Sequence, residues 1–304
     1  MKNQLGREKV IIPMVSPFNK DHTIDENAVV RLCEMFSKSG VSLFVLGTTG
    51  EGDSMSAQQR EMLLKLVVRE VKGRLKLFAG LTGNSLCESI EDARKYAGFG
   101  ADYLVVKLPS YYPIGADQML RYFEIIADST PLPLYIYNIP TTTHHSIPLS
   151  IIEKLSHHPN IAGLKDSERD IIRLNESVRL WGERNDFDFL IGWAAMSVYG
   201  LIEGANGIVP STGNFSPDLY AQIIDLIKNG NHIQALEIQE KSDQISALYQ
   251  QGLTLSQSIA ALKVMLQLKS VCSGEVLPPL QRMTVEAEEK FAFRVTEELK
   301  KLSL

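Results

Sequence analysis

Eight short apolar segments recur between residues 10 and 213, and their alternation with helical segments limits the folds open to this chain. They read VIIPMV, VSLFVLG, LKLFAG, DYLVVKLP, LPLYIYNIP, IAGLKDS, FDFLIG and NGIVPSTG. The segments between them have helical periodicity; Ser56 and Gln59, for example, predict a capping box. Apolar strands alternating with helices are typical of a parallel sheet covered on both faces, and eight such units predict a (β/α)8 TIM barrel.

A doubly wound sheet is the alternative α/β fold. Such a sheet usually carries a glycine-rich dinucleotide turn after its first strand, and VIIPMVSPF contains none. The barrel is therefore favoured.

The strand pattern ends near residue 231, and helical spacing continues to the C-terminus. Its apolar positions are Ile259, Leu262 and Leu266, then Val285, Ala292, Val295 and Leu299. Because no Pro-, Gly- or Ser-rich linker precedes this region, we expect it to pack on the barrel. The predicted organisation is a catalytic barrel over residues 1–230 and a three-helix extension over residues 231–304.

Composition limits the partners and the compartment. A net charge of −5 over 304 residues offers no basic face for nucleic acid. No apolar stretch is long enough for a signal peptide or a membrane span. Cys33, Cys87 and Cys272 are too far apart for a CxxC site and odd in number, which indicates buried thiols. We expect a cytoplasmic protein that binds neither nucleic acid nor membrane.

The segment VLGTTGEGDS, residues 45–54, has the glycine spacing of a phosphate-binding loop. Asp53 occupies the position where such a loop needs lysine, and a carboxylate there would repel phosphate. Gly47 and Gly50 let the backbone approach a ligand, while Thr48 and Thr49 supply hydroxyls, and a following helix would add its positive end. The loop therefore suits a carboxylate, with an ordinary strand-to-helix turn as the alternative.

Two polar residues end neighbouring predicted strands, where a barrel of this kind places its active site. Lys165 ends the sixth strand and Tyr137 the fifth, so both side chains can reach one pocket. Lys165 is either a solvated lysine paired with Asp166 or a buried Schiff-base nucleophile with a lowered pKa. Tyr137 is either a core aromatic or a proton shuttle, which would need hydroxyl groups beside it.

The histidines do not form a metal-binding pattern. His144–His145 and His157–His158 are adjacent pairs with no HExxH motif. Since a lysine imine would itself supply the electron sink, we expect neither a metal nor another cofactor.

Together, GTTGEG, YNIP and GLKDS resemble the dihydrodipicolinate synthase and N-acetylneuraminate lyase family of class I pyruvate-type aldolases, over about residues 8–230 and in the helical tail. The resemblance implies that Lys165 forms an imine with a 2-oxo acid and that Tyr137 transfers protons. It further implies binding and relay roles for a larger set: Gly47, Thr48, Thr49, Ser167 and Val209. Tyr111 or Tyr112 matches a tyrosine contributed across a subunit interface, which implies a homotetramer built from dimers.

Two departures from the family pattern concern substrate choice. Thr142 stands where dihydrodipicolinate synthases carry an arginine for the second substrate's carboxylate. The sequence GWAA, residues 192–195, replaces the acidic G-x-D-E motif of sialic acid lyases. Trp193, Ser211 and His144 or His145 would then shape the outer pocket, which suggests an aldehyde less polar than a long sugar.

The sequence thus predicts a Schiff-base lyase or aldolase that acts on pyruvate, or a related 2-oxo acid, and an aldehyde, with a 2-keto-3-deoxy sugar acid as one candidate product. A dehydratase, a decarboxylating enzyme or a dihydrodipicolinate synthase of the same family is the alternative. A non-catalytic 2-oxo acid binding protein is the alternative from a different class.

Overall fold

Each apolar segment forms a strand of one closed parallel barrel in the computed structural model, which describes residues 9–302. Strand neighbours follow chain order around the ring, and the last strand pairs with the first. This confirms the predicted TIM barrel. The strands are β1 Lys9–Pro13, β2 Ser42–Val45, β3 Leu77–Leu81, β4 Tyr103–Lys107, β5 Leu134–Asn138, β6 Ile161–Asp166, β7 Asp188–Ile191 and β8 Gly207–Ile208.

Helices follow the strands and form the outer layer. They are α1 Glu26–Ser39, α2 Ala57–Val71, α3 Leu86–Phe99, α4 Ala116–Ser129, α5 Pro140–Thr143, α6 Leu149–Ser156, α7 Ile171–Trp181, α8 Ser197–Glu203, α9 Pro217–Lys228, α10 His232–Gln250, α11 Leu255–Leu268 and α12 Val285–Lys301. Both hydrogen bonds of the predicted capping box, between Ser56 and Gln59, are present at the start of α2. None of the helices within residues 9–302 combines the length and apolarity needed to cross a bilayer.

Two apolar layers lie on opposite faces of the strands because successive side chains of a strand alternate in direction. The larger layer fills the space between the strands and the helices. The smaller one fills the barrel interior with residues such as Phe78, Tyr103 and Tyr135, whose rings pack edge-to-face or stack. The interior of the barrel is therefore a packed core.

The three C-terminal helices are present, as predicted. The first packs on α8 and α9, and α11 lies between α10 and α12. Ile259, Leu262 and Leu266 are buried in α11, whereas Val285 is exposed because it is the first residue of α12. The boundary at residue 230 falls in the turn between α9 and α10, and the division into two domains stays a prediction.

Candidate active site

A buried lysine and a buried tyrosine meet at the carboxyl end of the barrel. Lys165 of β6 and Tyr137 of β5 are register partners, so their side chains leave the sheet on the same face. The Lys165 Nζ lies 3.7 Å from the centroid of the Tyr137 ring and 4.7 Å from that of Phe44. Lys165 and Tyr137 are each 5% exposed. The solvated-lysine interpretation is thereby excluded, and the pair forms the centre of the site.

Burial lowers the pKa of Lys165, and the neighbouring Tyr137 only partly offsets this effect. Burial acts to raise the pKa of Tyr137, but the adjacent Lys165 charge and hydrogen bonds with Thr48, Lys165 and Ser167 leave it below its ordinary value. Both shifts favour the proposed roles, because the neutral amine is the nucleophile and a more acidic phenol gives up its proton more readily.

The turn after β2 brings Thr48 to Tyr137 through close backbone packing. A Cβ at Gly50 would lie 2.8 Å from the Met14 carbonyl oxygen, so a larger residue would displace the turn. The Ser16 hydroxyl donates to the Gly50 carbonyl at 2.6 Å. The helix expected directly after the turn begins only at Ala57, after a three-residue 3-10 helix at Gly52–Ser54. The 3-10 helix therefore separates α2 from the turn.

A fully buried ion pair anchors the end of this turn. Glu51, whose backbone N–H donates to the Thr48 carbonyl at 3.1 Å, pairs its carboxylate with the Lys263 ammonium of α11. Neither side chain is exposed. Glu51 also accepts the N–H of Leu277 at 2.7 Å, and Lys263 donates to the Glu275 carbonyl at 2.7 Å. The C-terminal extension therefore holds the turn that presents Thr48.

A cavity of about 500 Å³ opens from the Lys165–Tyr137 pair. Seven predicted site residues line it: Thr48, Thr49, Tyr137, Lys165, Ser167, Val209 and Ser211. Gly192 lines it as well, and a Cβ there would lie 2.1 Å from the Ser167 hydroxyl. Because Gly192 has no side chain, the Ser167 hydroxyl can occupy this space.

Other predicted site residues lie outside this cavity. Gly47 lies so close to the Phe44 ring that a Cβ there would clash with it, and Trp193 packs against the outer core. Thr142 borders a neighbouring groove and donates to the Ile139 carbonyl.

The tyrosines predicted to act across a subunit interface and the histidines predicted in the outer pocket are also absent from the cavity wall. Tyr111 and Tyr112 are 74% and 71% exposed, with their rings in edge contact. His144 is exposed, and His145 Nε2 lies 3.1 Å from the Tyr112 carbonyl oxygen. Neither histidine is placed to bind a ligand beside Lys165.

Sequence patterns did not identify the wall contributed by the C-terminal extension. Tyr249 and Gln250 end α10, and Leu253, Leu255, Ser258, Ile259 and Leu262 follow from the next turn and α11. Arg169, in the loop after β6, also lines the cavity. Helical spacing shows that such residues lie on one helix, but it carries no signal of which strand end that helix covers.

The cysteines differ in exposure. Cys33 and Cys272 are buried as expected, whereas Cys87 is exposed near the start of α3. Across residues 9–302, no group of three or more His, Cys, Asp or Glu side chains is arranged to hold a metal ion.

The barrel and the lysine–tyrosine pair at its strand ends define the class of protein, a (β/α)8 enzyme with a buried amine in its cavity. Residues 7–298 match the Dihydrodipicolinate synthetase family, to which the chain belongs. It is thus an aldolase-type lyase of class I, as the resemblance implied.

Individual relatives agree with this assignment. The chain is 30% identical over 288 residues to an uncharacterised DapA-like lyase of Pyrococcus abyssi, covering 93% of this chain and 95% of that protein. Dihydrodipicolinate synthase from Bacteroides thetaiotaomicron superposes with a TM-score of 0.90 at 30% identity, covering 96% and 100% of the two chains. YagE of E. coli K12, solved in complex with pyruvate, gives 0.89 at 25% identity, covering 96% and 98%.

Proposed function

We propose that the protein forms or cleaves a carbon–carbon bond between pyruvate, or a related 2-oxo acid, and an aldehyde through an imine on Lys165. The observation that carries the proposal is the buried Lys165 amine against Tyr137 in a cavity large enough for both reactants. The pyruvate held by the related YagE protein supports pyruvate as the 2-oxo acid.

The residues suit each step of this chemistry. The neutral Lys165 amine attacks the ketone carbon, and the carbinolamine loses its oxygen as water after protonation by Tyr137. Thr48 and Thr49 bind the carboxylate, and Thr48 relays protons to Tyr137. Loss of a methyl proton then gives an enamine, because the iminium nitrogen accepts the electron pair.

The enamine carbon completes the reaction by attacking the aldehyde carbon. The aldehyde oxygen takes a proton, and water hydrolyses the new imine to release a 4-hydroxy-2-oxo acid and restore Lys165. The reverse sequence cleaves such an acid. No oxidant or reductant is consumed in either direction.

Two alternatives use the same site differently. A dehydratase or a dihydrodipicolinate synthase would share the Lys165 imine. A non-catalytic 2-oxo acid binding protein would not need it, and burying an amine with no carboxylate beside it destabilises a fold. The lowered pKa of Lys165, caused by burial, therefore favours catalysis over simple binding.

We also propose a homotetramer built from dimers, in which Tyr111 or Tyr112 reaches a neighbour's site. Their exposure and their position outside the cavity fit side chains that act in another subunit. A cytoplasmic location remains part of the proposal.

An aldehyde panel tests the function. Pyruvate is incubated with each aldehyde, and products are identified by mass spectrometry. Lys165→Ala should abolish turnover, and Tyr137→Phe should slow it by roughly 10²-fold or more.

Tyr103→Phe is the matched control, since it removes a hydroxyl from the barrel interior at a position that does not line the cavity. It should keep full turnover. Equal turnover by wild type and Lys165→Ala would overturn the proposal.

A further inference from the structure

We infer that Arg169, oriented by Gln250, forms a carboxylate subsite for the aldehyde substrate, whose carbonyl end faces Lys165. This inference rests on the proposed function. The aldehyde would then be an oxo acid with an apolar body. The wall built by the C-terminal extension would take part in recognising this aldehyde.

The charge of Arg169 is available to a ligand. Its guanidinium makes one long contact, Nη2 donating to Gln250 Oε1 at 3.5 Å, and no ion pair joins it to a carboxylate within residues 9–302. A guanidinium has five N–H donors, so others remain for a carboxylate. Apart from Lys165, it is the only cation among the described residues that line the cavity.

The neighbouring carboxylates have other partners. Glu168 accepts from the Asn138 amide at 2.9 Å and the Ser146 hydroxyl at 2.6 Å. Asp170 caps α7 by accepting the N–H groups of Ile172 and Arg173. Neither acid is directed at Arg169, so an incoming anion would not displace an existing ion pair.

A buried network sets the direction of Gln250. Its Nε2 donates to the Tyr249 hydroxyl at 2.8 Å, which leaves Oε1 facing Arg169. The Tyr249 hydroxyl is in turn 2.8 Å from that of Ser211 and 3.0 Å from that of Thr212. Tyr249 is only 2% exposed. The loop after β8 thereby fixes the amide that orients the arginine.

Apolar side chains line the cavity, beside the hydroxyls of Thr141 and Ser258 and the carboxylate of Glu168. Ile139 and Pro140 contribute from the end of β5, and Leu253, Leu255, Ile259 and Leu262 from the extension. These apolar side chains suit methylene or aromatic carbon in the body of the aldehyde. An anion at one end and an apolar body therefore describe the aldehyde.

Matched pairs of aldehydes test the inference, each pair differing only in a carboxylate: 4-oxobutanoate with butanal, and 4-formylbenzoate with benzaldehyde. We expect wild type to prefer the acid in each pair by about tenfold or more in kcat/KM, the usual effect of a charge-assisted hydrogen bond. Arg169→Gln should remove this preference and keep turnover of the neutral aldehydes.

Arg179→Gln is the matched control, because it removes the same charge from an exposed position on α7 outside the cavity. It should retain the preference. Equal losses on acid and neutral aldehydes in Arg169→Gln, or no preference in wild type, would overturn the inference alone, provided that pyruvate still forms a borohydride-stable adduct on Lys165. No adduct in any of these proteins would overturn the proposed function as well.

Discussion

Breaking the buried Glu51–Lys263 ion pair from one side should cost much more stability than removing both charges. Lys263→Met leaves the Glu51 carboxylate with no exposed surface and with the Leu277 N–H as its remaining donor. Removing one partner of a buried pair typically costs about 3–5 kcal/mol. With the usual unfolding entropy per residue, this corresponds to a fall of about 5–8 °C in Tm for a chain of this length.

The double variant Glu51→Gln/Lys263→Met separates charge from packing. It replaces both charged groups by neutral ones of similar size, so its Tm should lie much closer to wild type than that of Lys263→Met. Lys290→Met, which removes an exposed lysine paired with Glu286 on α12, is the control and should change Tm little.

The loss of stability in Lys263→Met should also depend on pH. Burial raises the pKa of Glu51, and Lys263 opposes this rise, so deleting Lys263 raises the pKa further. When folding raises the pKa of a carboxyl, the carboxyl's contribution to protein stability is fully present at low pH. This contribution is lost as the pH rises through the folded-state pKa. The difference in Tm between Lys263→Met and wild type should therefore be larger at pH 8 than at pH 5.

Thermal unfolding at a fixed protein concentration measures the Tm of Lys263→Met, the Tm of the double variant and the dependence of both on pH. A Tm of Lys263→Met equal to wild type at pH 8 would refute the assignment of a buried ion pair. A double variant as unstable as the sum of its two single variants would refute the charge argument.

Three further predictions concern the active site and its assembly. Because burial lowers the pKa of Lys165 from 10.5, the rate of pyruvate trapping by borohydride should rise with pH and level off below pH 10.5, and a pH-independent rate would contradict this. Because Thr142 offers no charge, efficiency with aspartate semialdehyde should fall roughly tenfold to a hundredfold below that of an arginine-bearing synthase, and ordinary synthase efficiency in a coupled assay would contradict this. Light scattering should give a mass above one 33.9 kDa chain, and a fully active monomer would exclude a role for Tyr111 or Tyr112 in a neighbour's site.

The barrel and its central pair could be predicted because their signals are local. Each apolar strand is continuous in sequence, and the polar residue at its end marks the carboxyl edge of the sheet. Lys165 and Tyr137 therefore follow from strand order and from the spacing between neighbouring strands. Thr48, predicted from the glycine-rich turn, and Ser167, implied by the family resemblance, also line the cavity.

The outer half of the cavity depends on contacts between distant parts of the chain. Tyr249 reaches Ser211 because α10 folds back over the strand ends, which helical periodicity does not encode. The comparison with the G-x-D-E motif predicts Trp193 in the outer pocket, but a 3-10 helix at Ala194–Met196 begins directly after it, and its side chain packs against the outer core. Side-chain direction in such irregular turns is set by tertiary packing.

The central claim is that Lys165 is the imine-forming amine, and peptide mass spectrometry after treatment with pyruvate and borohydride tests it most directly. We expect one reduced adduct, on Lys165, absent from Lys165→Ala and retained in Lys107→Ala, whose lysine on strand β4 pairs with Asp53. No adduct on wild type, or an adduct on Lys107 instead, would contradict the account.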